Sequence, residues 1–339
     1  MDLTVCVCTH DRPHYVRGCL EGLRRQTIAP DRFAVLIVDS FSPEPARSEL
    51  RALAAAYPGA RLIRVDAPGV SAARNAGAEA AATGHIAYID DDAIPSETWV
   101  ATILEVLAST HPAPAVIGGR ILPHWEAPLP SWWPLSLRGV LSIIEHEGAG
   151  EYRTAALPAG LEPYACNMVV HVSSLLDSGG FGGGIGRIGG VLLSDEEVQL
   201  AWRLQNAGMH ARYDSRIVVF HQIQASRLNP RWLLSRLHWQ GVSTVLTRRM
   251  LHDGIAVWRE LPRRLAVAVL FAPAALWPRD STRLLFVRWR WWYAAGFVRA
   301  AFGWRAADAA RRIAGATPPR PPPQPACPPA EPVLDRPTP

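Results

Sequence analysis

The chain lacks lysine altogether, and this absence excludes one catalytic strategy. Its 339 residues carry 35 basic side chains, all of them arginine, so no lysine can form a Schiff base with a carbonyl substrate. The planar guanidinium of arginine suits phosphate recognition, but a lysine-free composition also follows from a biased source genome. The bias by itself therefore assigns no function.

Zinc-type cysteine pairs and membrane-spanning runs are also missing. The five cysteines form no CxxC pair, which favours reduced thiols; they are Cys6, Cys8, Cys19, Cys166 and Cys327. The N-terminus enters an apolar run without a basic region or a small-residue cleavage site, which predicts no signal peptide and a cytoplasmic location. The longest apolar run, residues 265–277, contains Pro273 and is too short to span a bilayer.

Strand-like and helix-like patterns alternate along the first 110 residues. Buried-strand patterns occupy residues 3–9, 33–39, 61–65 and 85–89. Helical patterns occupy residues 15–26, 46–57 and 71–82. This alternation predicts an α/β fold with a mostly parallel sheet flanked by helices, whose ligands lie outside the carboxyl ends of the strands.

Three loops that follow predicted strands carry polar side chains. His10, Asp11 and Arg12 follow the first strand, Asp39 and Ser40 the second, and Asp90–Asp92 the last. Since these loops meet at one edge of the sheet, we expect their side chains to converge. Three adjacent carboxylates repel one another unless water or a cation compensates them, and Mg²⁺ and Mn²⁺ prefer such oxygen ligands. The triplet therefore predicts a divalent-metal site.

The next segment, residues 111–226, is less regular. Residues 112–162 are rich in proline, glycine and tryptophan and predict an irregular, acceptor-facing stretch. Regular patterns return at 164–174, at a helix over 194–207 and at a strand over 217–220 that ends at His221. Gly184, Gly186 and Gly189 match the dinucleotide pattern G-x-G-x-x-G, but no clear strand leads into them and no acid follows at the required distance, so we reject that reading.

Arginine and tryptophan dominate the C-terminal helices of residues 227–315, which include 231–251 and 284–304. Arg263, Arg264 and Arg279 flank the apolar run, which suits a helix pair lying in a membrane interface. Packing against the rest of the protein or a partner subunit explains the same pattern, and the sequence leaves both interpretations open. The proline-rich tail, residues 316–339, predicts disorder.

The motifs from Leu3 to His221 resemble inverting glycosyltransferase family 2, which has the GT-A fold. The resemblance rests on six segments in this order: TVCVCTHDRP, LIVDS, PGVSAARNAGAEAA, YIDDDAIP, DEEVQLAWRLQNAG and VVFH. It implies a nucleotide-sugar-binding half at residues 1–110 and an acceptor-binding half with the catalytic base at residues 111–226.

The resemblance also implies a role for each matching residue. Donor contacts are expected from Thr9, His10, Arg12, Asp39, Arg74, Asn75, Asp90 and Asp91. A Mn²⁺ or Mg²⁺ ion would be held by Asp92 with Asp90 and His221, although a structural histidine after a strand explains His221 equally well. Glu197, paired with Glu196, is expected to be the base, ionised at neutral pH as an ordinary glutamate is.

The implied activity is transfer of a sugar from a nucleotide-sugar donor, of the UDP class, to the hydroxyl of a glycan, lipid-linked or small-molecule acceptor, with no nucleic acid involved. Cys8, His10, Ser40 and the longer Glu197 depart from the family pattern without removing a required group. Two alternatives stay open: a catalytically silent nucleotide-sugar-binding protein and a metal-dependent nucleotidyltransferase. A nucleotidyltransferase normally has a glycine-rich loop after its first strand, and residues 8–13 contain no glycine.

Overall fold

The computed structural model describes residues 1–67, 69–182, 185–187 and 191–303. The strands found there are β1 (Leu3–Thr9), β2 (Phe33–Ser40), β3 (Arg61–Val65), β4 (His85–Asp90), β5 (Ala93–Pro95), β6 (Val116–Trp125), β7 (Ala149–Glu151), β8 (Asn167–His171) and β9 (Ala211–Ile223). The α-helices are α1 (Pro13–Arg24), α2 (Ala46–Ala56), α3 (Val70–Glu79), α4 (Trp99–Ser109), α5 (Val172–Asp177), α6 (Glu196–Asn206), α7 (Pro230–Met250), α8 (Gly254–Leu270) and α9 (Leu285–Ala301).

The first four strands form the predicted parallel sheet. Their order is β3-β2-β1-β4, and every neighbouring pair is parallel. Each strand is short and apolar, as buried parallel strands are, and α3 lies so close to β1 that a Cβ at Gly77 would lie 2.6 Å from the Cys6 sulfur. The register pairs Thr9 with Asp39 and Cys8 with Asp90. The carboxyl ends of three strands therefore meet at one edge.

The other half of the sheet is mixed, which corrects the expectation of a mostly parallel sheet. β8 runs antiparallel to both β4 and β6, β6 is parallel to β9, and β5 and β7 pair antiparallel with β9. The pairing of β5 with β9 sets Ala93 opposite His221. The sheet thus places His221 beside Ala93, the residue that follows the aspartate triplet.

The prediction of an irregular stretch over residues 112–162 is wrong for β6, which lies inside the sheet. Its Gly118 and Gly119 reduce strand propensity but are required by close packing. A Cβ at Gly118 would lie 2.0 Å from the Tyr152 hydroxyl, and one at Gly119 would lie 2.3 Å from Ile217 O. β9 likewise begins six residues before the predicted strand, because it pairs with β6 from Ala211 onward, with a register shift between Gly119 and Arg120.

The C-terminal helices pack against one another and against the segment that precedes α6. Val242 and Val245 of α7 and Phe297 of α9 share a buried cluster with Ile185 and Leu193, which precede α6. The prediction that these helices pack on the protein is thus met on their inner side, while the outer side of α8 stays exposed. Within the residues described, no helix is long and apolar enough to cross a membrane.

Some predicted features lie partly outside the described residues. Gly184 and Gly189 of the rejected glycine pattern do, and so does everything from residue 304 onward, including Cys327 and the proline-rich tail. Gly186 is described and has a φ of 95°, in the left-handed region. Cys6, Cys8, Cys19 and Cys166 are free thiols, as predicted.

Candidate active site

Asp91 lies beneath the edge where the parallel strands end. Its side chain is fully buried and accepts hydrogen bonds from Thr9 Oγ1 at 2.7 Å and from Arg12 Nε at 3.1 Å, with a further ion pair to Arg12 Nη2. Burial raises the pKa of Asp91 to about 7, although the Arg12 charge opposes that rise. Asp91, which Thr9 holds in place, thus orients Arg12.

Three different side chains donate hydrogen bonds to Asp92. Its Oδ2 accepts from Arg12 Nη1 at 2.9 Å, Gln224 Nε2 at 2.8 Å and Arg227 Nη2 at 3.0 Å. Burial alone would raise the pKa of Asp92, but His221, Arg12 and Arg227 together hold it well below its ordinary value. Asp92 is therefore an anion at neutral pH.

His221 turns one ring nitrogen toward Asp92. Its Nδ1 lies 3.0 Å from Leu141 O, which can only accept, so Nδ1 carries a proton and Nε2 is the nitrogen turned toward Asp92. Nε2 lies 3.5 Å from Asp92 Oδ1. A carboxylate and an imidazole fixed in this way by a carbonyl form a suitable ligand pair for a divalent cation.

The predicted three-residue metal set is not assembled. Asp90 is one-third exposed and lies 3.3 Å from Arg74 Nη2, so it belongs to a different set of contacts. Among the described residues, no group of three or more histidine, cysteine or acidic side chains could hold a metal ion. The residues fit a two-ligand site formed by Asp92 and His221, whose other positions would be taken by phosphate oxygens and water, as Mg²⁺ and Mn²⁺ sites often are.

Arg74 connects the triplet to the acidic pair of α6. The guanidinium is buried; Nη1 donates to Glu196 Oε1 at 2.8 Å and lies 3.8 Å from Glu197 Oε1, while Nη2 reaches Asp90. The nearby carboxylates raise the pKa of Arg74 above its usual value despite burial, so it remains a cation. Arg74 thus joins the donor-side edge to the helix that carries the predicted base.

The environment of Glu197 corrects the expectation of an ordinary, ionised glutamate. Glu197 Oε1 accepts one hydrogen bond from Ala165 N at 3.2 Å. Burial and the Glu196 charge raise the pKa of Glu197 to about 8, against the lowering effect of Arg74. A raised pKa near the working pH is typical of a carboxyl that exchanges a proton during catalysis.

The remaining predicted donor contacts differ in accessibility. Asp39 is buried, with Oδ1 accepting from Ser42 N and Oδ2 from Arg64 Nη1, both at 2.9 Å. His10 is exposed beside it, and its Nδ1 lies 2.6 Å from Ser40 O. Asn75 instead holds the backbone of Phe181, donating to its carbonyl and accepting from its amide. Asn75 therefore has a structural task in addition to any ligand contact.

Sequence reasoning missed Gln224 and Arg227 near Asp92, and Arg64 near Asp39. Gln224 and Arg227 lie just after β9, where a short 3₁₀ turn, Ala225–Arg227, folds the chain back under the triplet. A polar residue after a strand gives no sign that it will be buried, so the only available signal was proximity to His221 in the sequence.

Comparisons with known proteins agree on the class of protein. Residues 4–137 match the model of Glycosyl transferase family 2. The chain is 27% identical over 176 residues to glucosyl-dolichyl phosphate glucuronosyltransferase of Haloferax volcanii, covering 52% of this chain and 54% of that protein. It is 27% identical over 241 residues to pre-mycofactocin glycosyltransferase of Mycobacterium tuberculosis, covering 69% and 46%. The chain thus spans about half the length of these curated relatives.

Solved structures share the fold. A mannosyltransferase, PcManGT from Pyrobaculum calidifontis, in complex with GDP-Man and Mn²⁺, has a TM-score of 0.58 at 16% identity, with 88% of this chain and 87% of that one covered. S. aureus TarS 1–349 in complex with UDP has a TM-score of 0.50 at 13% identity, covering 92% of each chain. At such identities the likeness establishes the GT-A fold.

Proposed function

We propose that this chain transfers a sugar from a nucleotide-sugar donor to an acceptor hydroxyl with inversion, because residues 4–137 match the model of Glycosyl transferase family 2 and the chain has a GT-A fold. One observation carries the proposal: buried Arg74 links Asp90, at the donor-side edge, to Glu196 and Glu197 on α6. This contact supports a donor and a base that face each other across one site.

The donor half of the proposal assigns the nucleotide to the ends of β1, β2 and β4. Asp39 would accept an N–H of the base, and the partly exposed Asp90 would accept a ribose or sugar hydroxyl. Arg12, which Asp91 orients, would face the diphosphate. Asp92 and His221 would hold Mn²⁺ or Mg²⁺, which supplies neutralisation of the leaving diphosphate when bound.

The transfer step needs one base. Glu197, once ionised, accepts the proton of the acceptor hydroxyl while the oxygen bonds to the anomeric carbon. The bond from that carbon to the diphosphate oxygen breaks on the opposite face, so the configuration inverts and a nucleoside diphosphate leaves. Arg74 keeps the acidic pair together by compensating its charge.

The test is release of nucleoside diphosphate from a panel of UDP- and GDP-sugars with Mn²⁺. Both classes belong in the panel because a carboxylate can accept from uracil or guanine. Glu197→Gln and Asp92→Asn should each abolish release, while Glu79→Gln, an exposed acid on α3, serves as the matched control. Full turnover by Glu197→Gln would refute the assignment of Glu197 as the base. Release of pyrophosphate would identify a nucleotidyltransferase instead.

We propose further that the outer side of α8 binds an anionic lipid surface, which suits a lipid-linked acceptor. Ile255, Trp258, Val269 and Leu270 are each more than half exposed on that side. Residues 254–303 contain eight arginines and two acids, so the apolar side chains lie in a basic region. Apolar and aromatic side chains next to arginine match a membrane interface by shape and by charge.

Vesicle sedimentation tests this surface. The wild type should sediment with phosphatidylglycerol vesicles and much less with phosphatidylcholine vesicles, and Val269→Ser/Leu270→Ser should reduce the bound fraction several-fold. Leu135→Ser, at a residue that is equally exposed but outside the surface, is the control. Equal binding by both variants would refute the assignment, and a concentration-dependent dimer lost in the double variant would assign the surface to a second copy of the chain.

A further inference from the structure

Arg227 lies between the two side chains that fit a metal ion. Its side chain is more than nine-tenths buried. Nη2 donates to Asp92 Oδ2 at 3.0 Å, and Nη1 lies 3.4 Å from His221 Nε2. A single guanidinium thus contacts both the carboxylate and the ring nitrogen of the proposed ligand pair.

The charge of Arg227 is maintained despite its burial. A guanidinium is a cation over the ordinary pH range, and the carboxylate of Asp92 is its counterion here. Arg12 also donates to Asp92 Oδ2. One carboxylate therefore faces two guanidinium groups, and a divalent cation added to Asp92 and His221 would be close to both of them.

An anionic diphosphate changes this balance. A nucleoside diphosphate brings negative charge to the same edge, which offsets the repulsion between the metal and the two arginines. The phosphate oxygens also give the guanidinium of Arg227 a bidentate partner in place of Asp92. Metal and nucleotide should therefore assist each other, because any coupling between two ligands acts equally in both directions.

We infer that Arg227 competes with a divalent metal ion for Asp92 and His221. In the metal-free protein its guanidinium is the hydrogen-bond partner of both side chains, so divalent-metal binding depends on the nucleotide diphosphate. This inference rests on the proposed metal role of Asp92 and His221. It concerns affinity and its coupling, so it can be tested without measuring sugar transfer.

The experiment titrates Mn²⁺ into the full chain with and without UDP, following free Mn²⁺ by electron paramagnetic resonance. Arg227→Gln should bind Mn²⁺ alone roughly tenfold more tightly than the wild type, and UDP should improve its affinity by a smaller factor. Arg288→Gln is the matched control, because Arg288 is also buried but has no contact with the proposed metal ligands. It donates to the backbone carbonyls of Trp277, Pro278 and Ser281. Its Mn²⁺ affinity should equal that of the wild type.

Thermal unfolding provides a second test of the inference in case Arg227→Gln is unstable. The variant leaves Asp92 and His221 without their shared cation, so its melting temperature should fall in buffer and recover on addition of Mn²⁺ by more than the wild type gains. Arg227→Lys, which keeps the charge, should stay close to the wild type. Mn²⁺ affinity of Arg227→Gln equal to or below that of the wild type, with unchanged UDP coupling, overturns the inference.

Failure of the proposed function looks different. The wild type and Arg227→Gln could differ in Mn²⁺ affinity as expected while no nucleoside diphosphate is released from any donor. That result would refute the transferase assignment and support the role of Arg227. A wild type that binds no Mn²⁺ even with UDP or GDP overturns the inference and the metal role together.

Discussion

Glu197 illustrates how burial sets the chemistry of a single side chain. The carboxyl lies beside Glu196 at the first turn of α6, and both are compensated by the one guanidinium of Arg74. Two carboxyls sharing one cation in a buried place do not both ionise readily, which is why the pKa of Glu197 rises to about 8. The proposed base is thus protonated over much of the neutral range.

The pH profile of turnover should show this pKa. A base acts only when ionised, and a raised pKa means that the ionised form is lost as the pH falls through about 8. We expect turnover under saturating donor to rise with pH up to that region, and Glu196→Gln to move the rise to lower pH because a neighbouring negative charge is removed. Glu197→Gln should lower turnover by roughly 10²–10⁴-fold.

The exposed Glu79→Gln should leave both the profile and the rate unchanged. A profile that stays flat between pH 6 and 9 in the wild type would contradict the assignment of Glu197. An unaltered rise in Glu196→Gln would contradict the influence of its neighbour.

Part of this site was accessible to sequence reasoning. Asp92 and His221 follow or end strands, so sheet topology alone could bring them together, and the structure does so. Asp91 is contacted by Thr9 and Arg12, which are 82 and 79 residues away in the sequence, and Arg227 reaches Asp92 from 135 residues away. No local pattern encodes such contacts, so neither the burial of Asp91 nor the position of Arg227 could be predicted from the sequence.

At the scale of elements, two glycines determine how α7 and α9 cross. A Cβ at Gly241 would lie 2.2 Å from Tyr293 O, and one at Gly296 would lie 1.9 Å from His238 O. Each helix therefore presents backbone to the other, and no larger residue fits without separating the helices. The sequence predicts both helices from their periodicity, but the requirement for these glycines appears only in the packed pair.

Gly296→Ala should lower the free energy of unfolding by about 1–3 kcal/mol or more, since the added methyl forces the backbones apart. Gly254→Ala is the control, because no heavy atom lies within 4 Å of its added Cβ. Urea unfolding of both variants measures the difference. Equal stability of the two variants would show that the α7–α9 crossing adjusts without cost.

The strands show the same limit of sequence reasoning. β1 to β4 could be predicted because each has a short apolar run between turn residues, while β6 was missed because its two glycines and flanking prolines indicate a loop. Tyr152 and Asn167 fill the space above those glycines. The partners that make β6 a strand are thus distant in sequence.

At the scale of the whole molecule, the helices and the sheet share hydrophobic clusters and polar contacts. Gln240 of α7 donates to both carboxylate oxygens of Asp195, which immediately precedes α6, and Ser243 accepts from Ser194 N. A third cluster joins Trp133 and Ile223 to Leu234 and Leu285. The residues next to the base are therefore held by α7, so removal of the C-terminal helices would disturb the site as well as any lipid contact.

This shared packing predicts that the described chain unfolds as one cooperative unit. Tryptophan emission reports mainly the C-terminal helices, since eight of the 13 tryptophans lie at or beyond residue 232, whereas far-ultraviolet circular dichroism reports the whole chain. The two signals should change at the same urea concentration. Gln240→Ala/Ser243→Ala, which removes the side-chain hydrogen bonds of α7 to Ser194 and Asp195, should lower both midpoints together. If emission instead changed first in either protein, the helices would be a separately stable layer, and the support that α7 gives to the base would have to be small.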